Sequence, residues 1–195
     1  VVDAISQDYS LGISQTYLLR GITGSGKTEV YMALIERMIA GGKQAIVLIP
    51  EIALTYQTLL RFYLRFGDRV SVMNSRLSPG ERSDQYERAA KGEIDIMIGP
   101  RSALFTPFER LGLVIIDEEH ESSYKSETMP KFHAREVAQE LCRMKHASLL
   151  LGSATPSLES YYRARQGEIP LFTLNSRLTG GELPKVYVED LREEL

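Results

Sequence analysis

Residues 21–28 read Gly-Ile-Thr-Gly-Ser-Gly-Lys-Thr, a spacing that suits the binding of a polyphosphate. The glycines lack a Cβ atom, so the backbone can wrap closely and point several N–H groups at an anion. Lys27 supplies a positive charge for the β and γ phosphates, and the Thr28 hydroxyl can coordinate Mg²⁺. We therefore expect a nucleotide-binding loop rather than a chance glycine-rich turn, with these contact residues: Gly21, Thr23, Gly24, Ser25, Gly26, Lys27 and Thr28.

A second group of reactive side chains, residues 117–120, reads Asp-Glu-Glu-His and follows an apolar run. Asp117 at a strand end would hold the Mg²⁺ that bridges the phosphates, and Glu118 could polarise the attacking water. His120 either senses the γ-phosphate or serves a structural purpose. An acidic loop without a function is the alternative, but the upstream loop favours a hydrolase with Lys27, Asp117, Glu118 and His120 as catalytic residues.

Two small hydroxyl residues, Ser153 and Thr155, lie in the run Gly-Ser-Ala-Thr-Pro at 152–156. They can hydrogen-bond His120 and pass the state of the nucleotide to a neighbouring surface. The alternative is that they cap the helix that follows.

The elements that position these residues alternate between strand-like and helix-like patterns. Apolar runs predict strands at 17–19, 45–49, 70–73, 94–98, 113–116 and 148–151, and amphipathic patterns predict helices at 29–40, 54–66, 78–91, 132–144 and 157–165. This order predicts an α/β fold, a mostly parallel sheet with helices on both faces. Polar residues that follow strand ends then meet at one edge of the sheet, where ligands bind.

Composition limits the classes of function. The chain has 195 residues, a net charge of −3 and one cysteine, Cys142. This excludes an intramolecular disulfide and a cysteine-rich zinc site, and any nucleic-acid contact must be local. No membrane-length apolar run or signal peptide is visible, so we expect a cytoplasmic protein without a membrane partner. Because the chain begins with Val, we expect a fragment of a larger protein.

The three motifs GITGSGKT, DEEH and GSATP resemble motifs I, II and III of superfamily 2 helicases. The longer runs LLRGITGSGKTEVY, LIPEIALT, SRLSPGER, GPRSALFTPF, DEEHESSYK and GSATPSLESY resemble the replication-restart helicases of the primosome. The similarity runs from Leu18 to the C-terminus and is specific as a combination. It implies that residues 1–195 form one RecA-like P-loop NTPase lobe, the first lobe of an ATP- and Mg²⁺-dependent 3′-to-5′ DNA helicase.

The resemblance also implies partners and absent parts. The partners are single-stranded and forked DNA, a second helicase lobe, primosome proteins and single-strand-binding proteins. The second lobe with its arginine finger and a zinc module do not appear in this sequence, so zinc is expected only outside it. Residues 167–195 are a less regular extension that leads towards those parts, with short strands at 170–174 and 185–188 and a loop at Gly180 and Gly181. The lobe alone is expected to hydrolyse ATP weakly.

DNA-facing residues are implied by the same resemblance. Thr55 belongs to a run like motif Ia, and Arg101 and Ser102 resemble motif Ib; hydroxyls and an Arg suit phosphate contacts. Residues 122–135 resemble a loop that couples DNA to hydrolysis, with these candidates: Tyr124, Lys125, Phe132 and Arg135. Simpler alternatives stay open, namely that Thr55 is a helix cap, that Arg101 forms a surface ion pair, and that the aromatic rings pack on the core.

Two other functions remain open at the level of sequence. Motifs I to III alone do not distinguish a DNA track from an RNA track. The lobe could also be an ATP-binding module that does not hydrolyse ATP by itself.

Overall fold

Seven strands form one fully parallel sheet in this computed structural model, which describes residues 1–177. The strands are β1 Thr16–Gly21, β2 Gln44–Leu48, β3 Val70–Val72, β4 Ile96–Gly99, β5 Leu111–Asp117, β6 Ser148–Ser153 and β7 Leu171–Leu174. Their spatial order is β3-β4-β2-β5-β6-β1-β7, and every pair of neighbours is parallel. The predicted α/β class and parallel sheet are confirmed.

Six α-helices cover the two faces of the sheet: α1 Val2–Ser10, α2 Lys27–Ala40, α3 Tyr56–Phe66, α4 Pro79–Ala90, α5 Ala134–Lys145 and α6 Leu158–Arg165. Helices α1, α2 and α3 pack in one apolar core, and α4, α5 and α6 pack in the other. Strand β5 contributes side chains to both cores, because Leu113 and Ile115 pack in the first core whereas Val114 and Ile116 pack in the second. This alternation explains why the strand is apolar throughout.

Several boundaries differ from the sequence-based expectation because local caps set them. Helix α2 begins at Lys27 rather than at residue 29, directly after Gly26 in the left-handed conformation. Helix α3 begins at Tyr56 because Thr55 caps it, after a short 3₁₀ turn at Glu51–Ala53. Helix α5 begins at Ala134 rather than at 132, where the His133 side chain caps it. The Ser78–Glu81 capping box of α4 is present as predicted.

The first helix and the last described strand compare differently with the prediction. Helix α1 was not predicted, and it buries only Ile5 fully. The predicted strand at 170–174 is β7, which pairs with β1. The loop at Gly180 and Gly181 and the strand at 185–188 lie outside the described residues. Across residues 1–177, no helix combines the length and apolar character that crossing a bilayer requires.

Candidate functional site

The glycine-rich loop joins the end of β1 to the start of α2, and its geometry explains its glycines. Gly24 and Gly26 adopt φ angles of 79° and 92°, in the region that residues with a Cβ atom rarely occupy. A Cβ atom on Gly21 would lie 2.5 Å from Ser25 Oγ. The backbone therefore curls tightly in front of the α2 N-terminus, where an anion is favoured.

The donors of this loop fit a polyphosphate. Ser25 Oγ is buried and has no hydrogen-bond partner within the described part of the chain, which leaves a polar atom to be satisfied by a ligand oxygen. Lys27 is buried, and its Nζ donates to the Gly21 carbonyl oxygen at 2.8 Å. The loop opens on a cavity of about 370 Å³, lined by Ile22, Thr23, Gly24, Gly26, Lys27, Thr28, Arg61, Asp117 and Glu118.

Asp117 ends β5 and is held at two points by buried tyrosines. The Tyr31 hydroxyl donates to Asp117 Oδ1 at 2.8 Å, and the Tyr124 hydroxyl donates to the Asp117 carbonyl oxygen at 2.7 Å. Burial raises the pKa of the Asp117 carboxyl, while the hydrogen bond from Tyr31 and the charge of Lys27 oppose the rise.

The metal site was predicted at Thr28 and Asp117, and both residues line the phosphate cavity. Among residues 1–177, no cluster of three His, Cys, Asp or Glu side chains is arranged to hold a metal alone. Mg²⁺ in nucleotide sites uses one or two protein oxygens together with phosphates and waters. A hydroxyl and a carboxylate on one cavity therefore suit Mg²⁺ delivered with a nucleotide.

Glu118 has an unusual backbone conformation, with φ at +46°. The surrounding turn holds it there: Glu121 N–H donates to the Glu118 carbonyl at 2.9 Å, and Glu119 N–H donates to the Gly152 carbonyl at 3.0 Å. Glu118 Oε1 lies 3.7 Å from Lys27 Nζ, on the phosphate cavity. A non-glycine residue in the left-handed region costs free energy, and such residues concentrate at functional sites.

His120 meets the two predicted hydroxyls. Its Nδ1 lies 2.8 Å from Ser153 Oγ, and its Nε2 lies 3.5 Å from Thr155 Oγ1. Its Nδ1 is also 3.7 Å from Glu118 Oε2. The hydrogen bonds expected between the second and third motifs are therefore present.

Glu119 has a role that the sequence did not indicate. Its side chain is fully buried, and it accepts hydrogen bonds from Ser157 N–H at 2.6 Å and from the hydroxyls of Ser157 and Ser160. Arg135 Nη1 donates to its Oε2 at 3.1 Å. Glu119 thus joins the loop after β5 to the N-terminus of α6 and to α5.

Two residues predicted to contact DNA have other surroundings. Tyr124 is 1% exposed, so its ring cannot stack on a base, and the packing alternative is right for this residue. Arg135 is 16% exposed in its side chain, and its Nη1 is bonded to Glu119, Ser157 and Ser160 rather than free for a phosphate. Tyr124 is buried because its ring belongs to the core of α4, α5 and α6, whereas Arg135 is held by partners 16 to 25 positions away in the sequence.

The other members of the 122–135 loop remain at the surface. Lys125 is exposed, and Phe132 is partly exposed and packs edge-on against Phe105 with 5.5 Å between ring centroids. Phe105 is 54% exposed. The sequence predicted Phe132 and Lys125 as surface candidates but did not indicate Phe105.

The residues like motifs Ia and Ib follow β2 and β4. Thr55 caps α3 by accepting from Thr58 N–H at 3.3 Å, and the rest of its side chain is exposed. Arg101 Nη1 donates to the carbonyls of Ser123 and Lys125, and Arg101 forms no ion pair with any carboxylate among residues 1–177. Arg101 and Ser102 share a cavity of about 360 Å³ with residues that follow β2 and with one residue of α4, lined by Pro50, Glu51, Ser75, Arg82, Pro100, Arg101, Ser102, Ser123 and Tyr124.

Comparison with known proteins gives consistent results. The model of the DEAD/DEAH box helicase family matches residues 6–164. The chain is 51% identical over 181 residues to the replication restart protein PriA of Bacillus subtilis (strain 168), covering 93% of this chain and 22% of that protein. It is 47% identical over 195 residues to PriA of Chlamydia trachomatis serovar D, covering 100% of this chain and 26% of that protein. The chain thus spans about a quarter of the length of these relatives.

Solved structures support the same fold. RecG bound to a three-way DNA junction superposes with a TM-score of 0.63 at 24% identity, covering 94% of this chain and 24% of that chain. The Hef helicase domain of Pyrococcus furiosus gives 0.60 at 17% identity, covering 92% and 38%. These likenesses confirm the RecA-like fold and nothing finer. Since the family model matches most of the chain, and three helicase motifs converge on one sheet edge, this chain belongs to the DEAD/DEAH box helicase family.

Proposed function

We propose that this chain is the ATP-binding motor lobe of a 3′-to-5′ DNA helicase that acts in replication restart. The observation that carries the proposal is that Lys27, Asp117 and Glu118 line one cavity at the mouth of the glycine-rich loop. Its 51% identity to a replication restart protein supports the biological context. Because the chain spans about a quarter of its relatives, the proposal concerns the complete protein.

The loop residues bind and orient the nucleotide. Backbone N–H groups at the α2 N-terminus would cradle the phosphates of ATP, with Lys27 Nζ moving from the Gly21 carbonyl to a phosphate oxygen. Thr28 and Asp117 would hold Mg²⁺, which supplies charge stabilisation for the phosphates when it is bound. Glu118 would orient the attacking water and accept its proton, a role typically worth about 10²–10⁴-fold in rate.

His120, Ser153 and Thr155 would couple nucleotide state to the rest of the protein. The chain of contacts runs from Glu118 Oε2 to His120 and on to the two hydroxyls of the next strand end. A change at Glu118 on nucleotide binding would therefore reach the β6–α6 connection. The Glu119 contacts to Ser157 and Ser160 join the same two segments.

DNA would follow the sheet edge through phosphate contacts. Arg101, Ser102 and Thr55 lie after neighbouring strands β2 and β4, which suits a backbone track without base readout. The exposed Phe105 and the partly exposed Phe132 could stack a base. Lys125 lines the same cavity as Phe132 and could contact a phosphate. Single-stranded and forked DNA are the proposed nucleic-acid partners.

Other partners rest on similarity alone. A second helicase lobe with an arginine finger, a zinc module, primosome proteins and single-strand-binding proteins are proposed for the complete protein. The same similarity supports a cytoplasmic location.

The test is nucleic-acid-stimulated ATP hydrolysis by the complete protein. We expect stimulation by single-stranded DNA and little by RNA of equal length, with Lys27→Ala inactive as the contamination control. Equal stimulation by RNA would favour an RNA track. ATP binding without hydrolysis under any condition would favour a binding module.

A further inference from the structure

Tyr31 is buried in α2, one helical turn after Lys27, and it reaches across the sheet edge to β5. Its side chain is 2% exposed, and its hydroxyl donates to Asp117 Oδ1 at 2.8 Å.

Gly152 makes this contact possible. It lies on β6 opposite Asp117 in the parallel register. A Cβ atom at position 152 would lie 1.7 Å from the Tyr31 hydroxyl oxygen and 2.8 Å from Cζ of the ring. Only glycine therefore leaves the Tyr31 hydroxyl in place, and this gives a physical reason for the glycine that opens the run at 152–156.

Asp117 is thus fixed from both faces of the sheet. Tyr31 belongs to the core with α1, α2 and α3, and Tyr124 belongs to the core with α4, α5 and α6. Tyr124 holds the carbonyl of Asp117, whereas Tyr31 holds one oxygen of its carboxylate. The carboxylate that Tyr31 holds is the one that lines the phosphate cavity.

We propose that Tyr31 is a positioning residue that presents Asp117 to the nucleotide-bound Mg²⁺, and that Gly152 is required for its reach. This inference rests on the proposed nucleotide function. Groups that orient a metal-binding side chain typically change metal affinity or activity by about 10–100-fold when they are removed.

The test is calorimetric binding of ADP to the complete protein, with Mg²⁺ and with EDTA. In Tyr31→Phe we expect the gain in ADP affinity that Mg²⁺ provides to fall about 10–100-fold, with metal-free ADP affinity unchanged. The matched control is Tyr17→Phe, which removes another buried hydroxyl from a carboxylate, 2.9 Å from Asp8 Oδ2, and should keep the wild-type Mg²⁺ gain.

A double-variant cycle tests the role of Gly152. Gly152→Ala should reduce the gain in ADP affinity from Mg²⁺ as Tyr31→Phe does. The double variant should be little worse than either single variant, because all three lose the same hydrogen bond, from Tyr31 to Asp117. If Gly152→Ala fails to fold, Tyr31→Phe decides the question.

The inference is overturned if Tyr31→Phe keeps the wild-type gain in ADP affinity from Mg²⁺. It is also overturned if Tyr31→Phe loses ADP affinity equally with Mg²⁺ and with EDTA. Both outcomes leave the proposed nucleotide function intact. If the wild-type protein itself gains nothing from Mg²⁺, the proposed function fails.

Discussion

Lys27 and Glu118 face each other across the phosphate cavity, with 3.7 Å between Nζ and Oε1. The pair joins the start of α2 to the end of β5, and Lys27 is also bonded to the Gly21 carbonyl. A bound polyphosphate would compete for the lysine and release the glutamate towards a water. Substitution of Lys27 should therefore affect nucleotide binding, whereas substitution of Glu118 should affect hydrolysis.

Lys27→Ala should abolish measurable ATP binding and leave the fold largely intact. The variant loses one hydrogen bond from a charged group to a backbone carbonyl, which costs about 1.5–3 kcal/mol of stability. Calorimetry beside a thermal melt measures both quantities. Lys145→Ala, at the exposed end of α5, is the matched control. Wild-type ATP affinity in Lys27→Ala would contradict the assignment of the loop.

Glu118→Gln should keep ATP binding and lose hydrolysis by about 10²-fold or more, since an amide can orient water but cannot accept its proton. Steady-state ATPase assays with DNA measure the loss. Glu136→Gln, an exposed carboxylate on α5, should behave as wild type. Normal turnover by Glu118→Gln would mean that another group accepts the proton.

Glu119→Ala should act on stability, in contrast to its neighbour. Removing one partner of a buried ion pair typically costs about 3–5 kcal/mol, and here it also leaves Ser157 N–H and two hydroxyls without their acceptor. Arg135→Ala should destabilise too, and the two changes should not add, because both break the same contact. Denaturant unfolding of the two single variants and the double variant gives the coupling free energy between Glu119 and Arg135. Additive effects would show that the contact contributes little.

Phe132→Ala should weaken the stimulation of ATPase by single-stranded DNA while basal ATPase stays close to wild type. Each stacked base contributes about 1–3 kcal/mol, so DNA affinity should fall by at least about fivefold. Tyr124→Ala should instead destabilise the fold by about 3–5 kcal/mol, because its ring is buried. Unchanged stimulation in Phe132→Ala would remove it from the DNA track.

Stability should fall at mildly acidic pH through His133. Its pKa lies below the ordinary 6.5 because of partial burial and the charge of Arg135, with Lys125 acting the same way and Glu136 and Glu119 opposing. Below about pH 6.5 the unfolded chain therefore binds more protons than the folded chain, so unfolding becomes easier until the folded-state pKa is passed. The neutral ring is also the one that can cap α5, since Nδ1 accepts from Arg135 N–H at 3.2 Å.

His133→Asn keeps a capping acceptor and removes the titration. The unfolding free energy of the wild type minus that of this variant should become smaller as the pH falls from about 7.5 to about 5.5, because only the wild type loses stability through this residue. A difference that does not change with pH would exclude His133 as the titrating group.

The sequence predicted the strands and their polar ends because both signals are local. An apolar run such as that of β5 predicts a strand, and the loop that follows it carries its chemistry in adjacent residues. Contacts between distant residues leave no such trace: Tyr31 and Asp117 are 86 positions apart, and nothing in either segment indicates the hydrogen bond. The same applies to Arg135, whose partners Ser157 and Ser160 lie 22 and 25 positions away. Tyr124 is buried in a core built from several strands and helices, and the sequence around it does not indicate that core.

The position of β1 in the sheet has a consequence for synthesis. It lies between β6 and β7, which begin at Ser148 and Leu171. A nascent chain therefore makes the glycine-rich loop early but cannot pair the strand that carries it until the last quarter of the lobe has left the ribosome. Pairings over such long separations form slowly, so nucleotide binding should be among the last properties that the growing chain acquires.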